Sequence, residues 1–356
     1  MMKSGLTLLF LTLIILGKSN AQSPVVDYKA RISQIDQNIN KVFYEPETGL
    51  YKETNAKNDK PHSYLWPLCA LIQAANEAEQ LDPGKAHMKP VLRAISQYHN
   101  DNPPAPGYQA YVTKEGKDAR FYDDNQWIAI ACLDAYNRTK SKSYLRIAEE
   151  IYRFQMTGFD EKAGGGLYWK EDEKNTKNTC SNGPGILVAL QLYKITKKKE
   201  YLTTAVQLYE WTNKHLRGEN GIFYDAIKIP SLKIDSAKYT YNTGTMLQSN
   251  VLLYVITKEK KYLEEAQLIA GSAEKYFYRN NKLPDHYWFN VVLLRGYEAL
   301  YEVDRNKKQL QFFFDDAERI WKNEKDGTDL VGTKQTKTLI DQSAMMEMYG
   351  RLERLK

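Results

Sequence analysis

The sequence predicts an all-α protein, an (α/α)6 barrel of six helical hairpins in a single domain. Three observations lead to this prediction. A segment of helix, short turn and helix recurs along the chain, the first helix of a copy is apolar almost all round, and the second is amphipathic. Because a helix that is apolar on every side must be buried on every side, each copy pairs an inner helix with an outer one.

The repeat is clearest in three segments that align on Tyr136, Tyr193 and Tyr254. Each tyrosine is followed by Thr three residues later, by Tyr-Leu eight residues later and by Ala twelve residues later. A fainter copy begins at Tyr301, and an earlier one lies around Ala74. This period divides the chain into close to six units, which can close into a ring. An open superhelix of hairpins is the alternative.

The hairpins place all long loops at one end of the ring. We predict inner helices at 65–79, 122–137, 183–195, 243–257, 287–303 and 337–352. We predict outer helices at 25–44, 86–100, 142–157, 199–216, 259–278 and 308–322. Turns within a hairpin are short and charged, whereas the loops between hairpins are long and rich in glycine and aromatic residues. Since such loops are often functional, we expect the active face at the N-terminal ends of the inner helices.

The first 21 residues have the pattern of a secretory signal peptide. A lysine precedes the apolar run Leu6–Leu16, and Ser19-Asn20-Ala21 forms an Ala-x-Ala-like end. The run is short against the roughly 20 residues of a membrane span. We therefore expect residues 22–356 to be the mature domain, exported to the periplasm or the medium as a monomer without a membrane anchor.

Charge and cysteine content exclude several classes of protein. The net charge is +6, and the basic residues are spread along the chain, with the densest cluster in Lys-Ile-Thr-Lys-Lys-Lys-Glu-Tyr at 194–201. This is typical of solvated surface rather than of a nucleic-acid-binding stripe. Cys69 and Cys132 lie in apolar helical patterns, which predicts buried free thiols, although one disulfide is possible in an oxidising compartment. No cysteine pair has metal-ligand spacing, so we expect no metal and no cofactor.

The segment Phe-Tyr-Asp-Asp-Asn-Gln-Trp, at 121–127, begins the second inner helix. Asp123 and Asp124 lie in its first turn, where unpaired backbone N–H groups favour a carboxylate. A second carboxylate beside the first is expected to keep its proton to higher pH. One ionised and one protonated carboxyl group are what glycoside hydrolysis requires. The alternative is a helix-capping motif without catalytic function.

The loops of the same face supply candidate sugar-binding side chains. Tyrosine and tryptophan offer a flat apolar ring with a polar edge, which suits a sugar. In the segment Cys-Ser-Asn-Gly-Pro-Gly, at 180–185, the glycines allow a close approach of the backbone to a ligand. The candidates from these loops and from the neighbours of the aspartates are Tyr64, Trp66, Tyr122, Asn125, Trp169 and Asp225.

Four segments together resemble glycoside hydrolase family 76, the endo-α-1,6-mannanases. They are 121–127, Gly-Gly-Gly-Leu-Tyr-Trp-Lys, Cys-Ser-Asn-Gly-Pro-Gly and Tyr-Thr-Tyr-Asn-Thr-Gly-Thr, in this order. The resemblance covers essentially the whole mature chain. It implies an (α/α)6 fold, retention of anomeric configuration and no metal, with Asp123 as nucleophile and Asp124 as general acid/base. It also implies sugar-binding roles for Asn182, Asp225, Tyr241 and Asn242. Thr243 departs from the family pattern, since many members have Gln there.

The sequence thus predicts a retaining endo-glycosidase that hydrolyses the α-1,6-mannosidic linkages of mannan or manno-oligosaccharides. One alternative is another (α/α)6 enzyme, such as an inverting glycosidase, an unsaturated uronyl hydrolase or a sugar epimerase. A second is a transglycosylase, and a third is an exported glycan-binding protein that has lost catalysis.

Overall fold

The structure is a computed structural model that describes residues 26–57 and 60–356. The predicted signal peptide, 1–21, lies outside the described residues. Six of the described helices form an inner ring: α2 (Leu65–Leu81), α4 (Tyr122–Thr139), α6 (Thr179–Thr196), α8 (Thr240–Thr257), α10 (Tyr287–Asp304) and α12 (Leu339–Leu355). Six others surround it: α1 (Tyr28–Val42), α3 (Met88–Ser96), α5 (Lys142–Met156), α7 (Lys199–Leu216), α9 (Lys260–Phe277) and α11 (Gln311–Asn323).

Each inner helix contacts the next one along the chain, and α12 returns to contact α2. The ring is therefore closed, which confirms the (α/α)6 barrel and excludes the open superhelix. Ion pairs support the closure, since Glu77 of α2 pairs with Arg351 at 3.1 Å and with Arg354 at 2.6 Å. Within the described residues, no helix is long and apolar enough to cross a membrane.

Burial separates the two kinds of helix as the sequence predicts. Every residue of α6 from Thr179 to Leu192 is buried. In α7 the buried residues recur at three- and four-residue steps, as in Tyr201, Ala205 and Leu208, so that only one face meets the core.

The described loops contain short strands, which the all-α prediction omitted. β1 (Tyr44–Glu45) pairs with β2 (Leu50–Tyr51), and β3 (His99–Asn100) pairs with β4 (Gly107–Tyr108). An antiparallel sheet of order β5-β6-β7 consists of β5 (Thr176–Asn178), β6 (Tyr224–Lys228) and β7 (Ile234–Lys238). Strand β5 runs directly into α6, and Tyr239 alone separates β7 from α8. This sheet therefore fixes the positions at which these two inner helices begin.

Some helix limits differ from the predicted ones. Helix α6 begins at Thr179, four residues before the predicted start at 183, and it includes Pro184. Pro184 is the sixth residue of this helix, and because it has no N–H it cannot donate to the carbonyl group of Cys180. Helix α3 ends at Ser96 rather than at residue 100, because His99 and Asn100 pair with β4 instead.

Four hairpin turns share one geometry, which explains the repeated Tyr-x-x-Thr. The residue after the inner helix adopts a left-handed backbone and donates its N–H to the carbonyl group of the repeat tyrosine, as Lys140 does to Tyr136 at 2.7 Å. The repeat threonine accepts from the following turn, as Thr139 does from the Ser141 N–H at 3.2 Å. The same contacts recur at Lys197 and Lys258, and Arg305 has the same backbone geometry.

Candidate active site

A cleft of about 850 Å³ opens at the end of the barrel where the long loops gather. Its walls come from the starts of α2, α4, α6, α8 and α10 and from the sheet strand β6. The predicted site residues that line it are Tyr64, Trp66, Asp123, Asp124, Trp169, Asp225 and Tyr241. The structure thus brings together residues that lie as far apart in the sequence as Tyr64 and Tyr241.

Asp123 and Asp124 are the second and third residues of α4, and both face this cleft. The residue in the capping position is Phe121, whose side chain makes no capping hydrogen bond. The backbone N–H of Tyr122 is instead satisfied by the carbonyl oxygen of Trp169, at 3.0 Å. The N-cap position is therefore occupied by Phe121 and by neither aspartate.

The two carboxyl groups differ in how strongly they hold a proton. Burial raises the pKa of Asp123 to about 6, and hydrogen bonds from Cys180 and Trp169 act in the opposite direction. Burial raises the pKa of Asp124 well above its usual range, and the negative charge of Asp123 raises it further. At neutral pH this arrangement favours an ionised Asp123 beside a protonated Asp124.

Trp169 is one of the residues that hold the carboxyl group of Asp123. Its indole N–H donates to Oδ2 of Asp123 at 3.2 Å. The ring packs against Phe121, with ring centroids 5.0 Å apart, and remains 38% exposed toward the cleft. Trp169 is thus placed to orient one carboxylate and to offer a ring face to a ligand.

The floor of the cleft contains aromatic residues that the sequence analysis did not single out. Trp127 and Trp288 line it together with Trp66; the ring of Trp288 lies 5.4 Å from that of Trp127 and 6.0 Å from that of Trp66. The indole N–H of Trp288 is buried and has no hydrogen-bond partner among the described residues. Trp127 could have been found, because it lies four residues after Asp123 and therefore on the same helix face.

A third carboxylate lies across the cleft from α4. Oδ1 of Asp225 accepts a hydrogen bond from Nδ2 of Asn242 at 3.2 Å. Burial raises the pKa of Asp225 as well. Tyr241 lies beside it and packs on Phe289, with ring centroids 4.1 Å apart.

Four predicted sugar-binding residues do not line the cleft: Tyr122, Asn125, Asn182 and Asn242 are all fully buried behind its wall. The amide of Asn125 binds both backbone groups of Tyr108, at 2.8 Å each. Asn182 binds those of Leu167 in the same way, at 2.8 and 3.0 Å. We call this arrangement, in which the fourth residue of an inner helix holds the preceding loop, an amide clasp.

In α8 the clasp position is occupied by Thr243, the residue at which the sequence resemblance is incomplete. Thr243 is the fourth residue of α8, and its hydroxyl accepts from the N–H of Phe223 at 3.3 Å. It is fully buried, so the departure affects how the loop is held rather than the lining of the cleft.

The glycines that were expected to admit a ligand admit neighbouring side chains instead. A Cβ atom on Gly185 would lie 2.7 Å from Cδ1 of Leu167. On Gly244 it would lie 2.6 Å from the backbone of Leu293, so that glycine lets α8 and α10 approach closely.

All three cysteines are buried and free, as predicted for Cys69 and Cys132. The thiol of Cys69 donates to the carbonyl oxygen of Asp124 at 3.2 Å, behind the cleft. Cys180 lines the cleft itself, next to Asp123.

Comparisons with known proteins place the chain among carbohydrate-active enzymes. Two solved structures from Bacteroides thetaiotaomicron, a family 76 α-mannanase and a family 76 mannosidase, share 26% identity with this chain and superpose with TM-scores of 0.87 and 0.82. Each match covers 92% of this chain, and 97% and 99% of the other chain.

Among curated proteins, the mannan endo-1,6-alpha-mannosidase DCW1 of Saccharomyces cerevisiae is 27% identical over 204 residues, which is 53% of this chain and 44% of that protein. The meiotically up-regulated gene 191 protein of Schizosaccharomyces pombe is 25% identical over 254 residues, 66% of this chain and 57% of that protein. The aligned part is thus about half the length of these curated relatives. The family model for glycosyl hydrolase family 76 matches residues 27–353. The chain therefore belongs to glycosyl hydrolase family 76.

Proposed function

We propose that this protein is a retaining endo-glycosidase that hydrolyses the α-1,6-mannosidic linkages of mannan. The observation that carries the proposal is the pair Asp123 and Asp124, which share one cleft and differ in proton affinity. The printed names of the relatives support the choice of substrate, since they include mannan endo-1,6-alpha-mannosidases and an α-mannanase.

In the first step, a carboxylate oxygen of Asp123 attacks the anomeric carbon of a mannosyl unit. Asp124 donates its proton to the departing O6, and the bond between the anomeric carbon and O6 breaks. The product is a glycosyl ester on Asp123. In the second step, Asp124 takes a proton from water, the water oxygen attacks the anomeric carbon, and Asp123 is released as a carboxylate.

The assignment of the two roles follows from their surroundings. The nucleophile must be ionised, and Asp123 receives hydrogen bonds that favour the charged form. The acid must be protonated, and Asp124 has burial and a neighbouring negative charge that both favour the neutral form. A charge on Asp123 thus helps Asp124 to keep the proton that the first step consumes.

The remaining lining suits a sugar chain. The volume of about 850 Å³ is toward the upper end of the roughly 300–1,000 Å³ of ligand pockets, which leaves room for more than one sugar unit. Exposed rings of Tyr64 and Trp169 stand at the rim, and the Trp66, Trp127 and Trp288 rings lie below them. Several rings around one acidic pair favour binding within a chain, as an endo-acting enzyme requires.

The test is product analysis with linear α-1,6-mannan, using residues 22–356 beside Asp123→Asn and Asp124→Asn. We expect short manno-oligosaccharides from the native protein and a loss of at least about 1,000-fold in rate from each variant. Proton NMR during the first minutes should show the α-anomer as the first product.

Other results would assign the site differently. A β-anomer as first product would mean inversion, and products longer than the starting oligosaccharide would mean transglycosylation. Tight binding of mannan without any turnover by the native protein would contradict the enzymatic proposal and leave a glycan-binding protein.

We further propose that the protein acts outside the cytoplasm, on the strength of the signal-peptide pattern in residues 1–21. Expression with its own leader, followed by N-terminal sequencing of the exported protein, tests this. A chain that begins at Gln22 is the expected result, and an unprocessed chain retained in the cytoplasm would contradict it.

A further inference from the structure

The turns that join inner to outer helices lie at the end of the barrel opposite the cleft, because each follows the C-terminal end of an inner helix. These five turns are 82–87, 140–142, 197–200, 258–261 and 304–308. They contain twelve lysine and arginine residues against four aspartate and glutamate residues, and all twelve cations are exposed. We call this surface the lysine face.

The lysine face concentrates the positive charge of the molecule. Its formal charge of +8 exceeds the +6 of the whole chain, so the remainder of the protein is net negative. Three of its cations have a carboxylate within 4.0 Å, namely Lys85, Lys261 and Arg305. The other nine have no such partner within the part of the chain that the structure describes.

Helix stability accounts for only some of these cations. Lys140, Lys197 and Lys258 follow the C-terminal ends of inner helices, where the helix dipole favours a positive charge. Lys142 and Lys199, in contrast, are the first residues of α5 and α7. The dipole disfavours a cation at that end of a helix, so helix stability does not account for these two lysines.

We propose that the lysine face binds the surface of an anionic lipid bilayer and holds the barrel with its cleft pointing away from the membrane. The cations come from five turns around the ring, so they form a broad array around one end of the barrel. Lysine ammonium groups bind phosphate headgroups as hydrated point charges. This proposal does not depend on the proposed function.

The lysine face, whose residues the structure describes throughout, lacks exposed large apolar side chains. This favours binding at the headgroups of a bilayer over insertion into its hydrocarbon layer and over binding of an anionic polysaccharide. The exposed large apolar side chains among the described residues are Tyr64, Trp169, Leu232, Leu268 and Tyr276. None belongs to the lysine face, so the face has no side chain to insert into the hydrocarbon layer. It also has no exposed aromatic ring for stacking on a sugar, which disfavours an anionic polysaccharide as the partner.

Vesicle sedimentation tests the proposal, with residues 22–356 so that the leader does not contribute. We expect binding to phosphatidylcholine vesicles that contain about 30% phosphatidylglycerol, and none to pure phosphatidylcholine. Binding at about 20 mM NaCl should be lost at about 300 mM, where the Debye length is much shorter. Since each lysine near such a surface contributes about fivefold, the variant K142Q/K199Q/K260Q/K307Q should bind at least about 100-fold more weakly.

A control variant with the same change in charge is K114Q/K117Q/K228Q/K233Q, whose exposed lysines lie at the cleft end, between the outer and the following inner helices. It should keep its binding, and replacing the four lysine-face residues by arginine should do so too. Equal loss in the control, or equal binding to neutral vesicles, would overturn the proposal. Binding to alginate but not to anionic vesicles would assign the face to a polysaccharide and would likewise overturn it.

Discussion

The indole N–H of Trp169 donates to Oδ2 of Asp123 at 3.2 Å, and it is the loop before α6 that carries this donor to the start of α4. The same loop satisfies the Tyr122 N–H through the Trp169 carbonyl oxygen. A single residue therefore positions the proposed nucleophile both through its backbone and through its side chain.

Trp169→Phe removes the donor and keeps most of the ring. A hydrogen bond to a charged group contributes about 1.5–3 kcal/mol, so we expect kcat for mannan to fall about 10- to 100-fold, with a smaller change in KM. Steady-state kinetics checks this. Trp321→Phe, outside the cleft, is the control and should leave both constants unchanged. A change confined to KM would show that Trp169 acts only as a sugar platform.

The pH dependence of kcat/KM should be bell-shaped. In the proposed mechanism, activity requires an ionised Asp123, so the acid limb should lie near the pKa of about 6. It also requires a protonated Asp124, so activity should fall again as the pH rises through the raised pKa of that group.

Asp123→Asn should lower the pKa of Asp124, because the charge of Asp123 is one of the causes that raise it. Carbon-13 NMR of labelled aspartate carboxyl groups would measure this directly. An unchanged Asp124 pKa in this variant would show that burial alone controls that group.

The same groups make stability depend on pH. Asp123 binds its proton more tightly in the folded state, with a pKa near 6 against 3.8 for an ordinary aspartate. Its favourable contribution is present below about pH 3.8 and is lost as the pH rises through 6. Asn has no proton to lose. Asp123→Asn should therefore change the free energy of unfolding more favourably at pH 8 than at pH 4, and the difference between the two effects should be on the order of 3 kcal/mol.

Urea unfolding at the two pH values tests this. Asp101→Asn, at a side chain that is 87% exposed, should show no such difference. An equal change at both pH values would mean that the carboxyl group of Asp123 is not destabilised by burial.

Removing an amide clasp should lower the stability of the protein without impairing catalysis. Asn182→Ala leaves the buried N–H and C=O of Leu167 without partners, at about 1–3 kcal/mol for each group. We expect a lower urea midpoint and an unchanged KM in the fraction that remains folded. A large rise in KM with normal stability would instead support a sugar contact for Asn182.

We predict that Trp288 donates to the substrate. Its N–H is buried and lacks a partner among the residues described here, while the residue lines the cleft, and we expect a bound sugar to supply the missing acceptor. Trp288→Phe should raise KM for manno-oligosaccharides about 5- to 10-fold, as expected for one hydrogen bond. Oligosaccharides of increasing length would then show which sugar position the residue contacts.

Much of the architecture could be predicted from the sequence, because the residues that recur in each copy are those that form the hairpin turns and the buried helix faces. The predicted helix 199–216 matches α7, since Tyr201 and Ala205 recur in every clear copy and mark its buried face. The position of Asp123 and Asp124 at the start of an inner helix could likewise be predicted, because it depends only on nearby residues.

The side-chain directions at the cleft could not be predicted in this way. Asn125 lies next to the aspartates in the sequence, yet it turns behind the wall, because Tyr108 of the preceding loop offers both of its backbone groups there. Trp288 meets Trp66 of α2 and Trp127 of α4 at the floor only because the ring closes, since the inner helices that contact α10 are α8 and α12. Such contacts depend on the whole ring and not on any local pattern.

The closure of the ring by the last helix also constrains when the protein can fold. The ion pair of Glu77 with Arg354 joins residues 277 positions apart, and the pair of Arg31 with Glu318 spans 287. Contacts of such separation slow folding, and those of α12 cannot form before Leu339–Leu355 has been synthesised. The ring therefore stays open while the first five inner helices are being translated, and it can close only after all six are present.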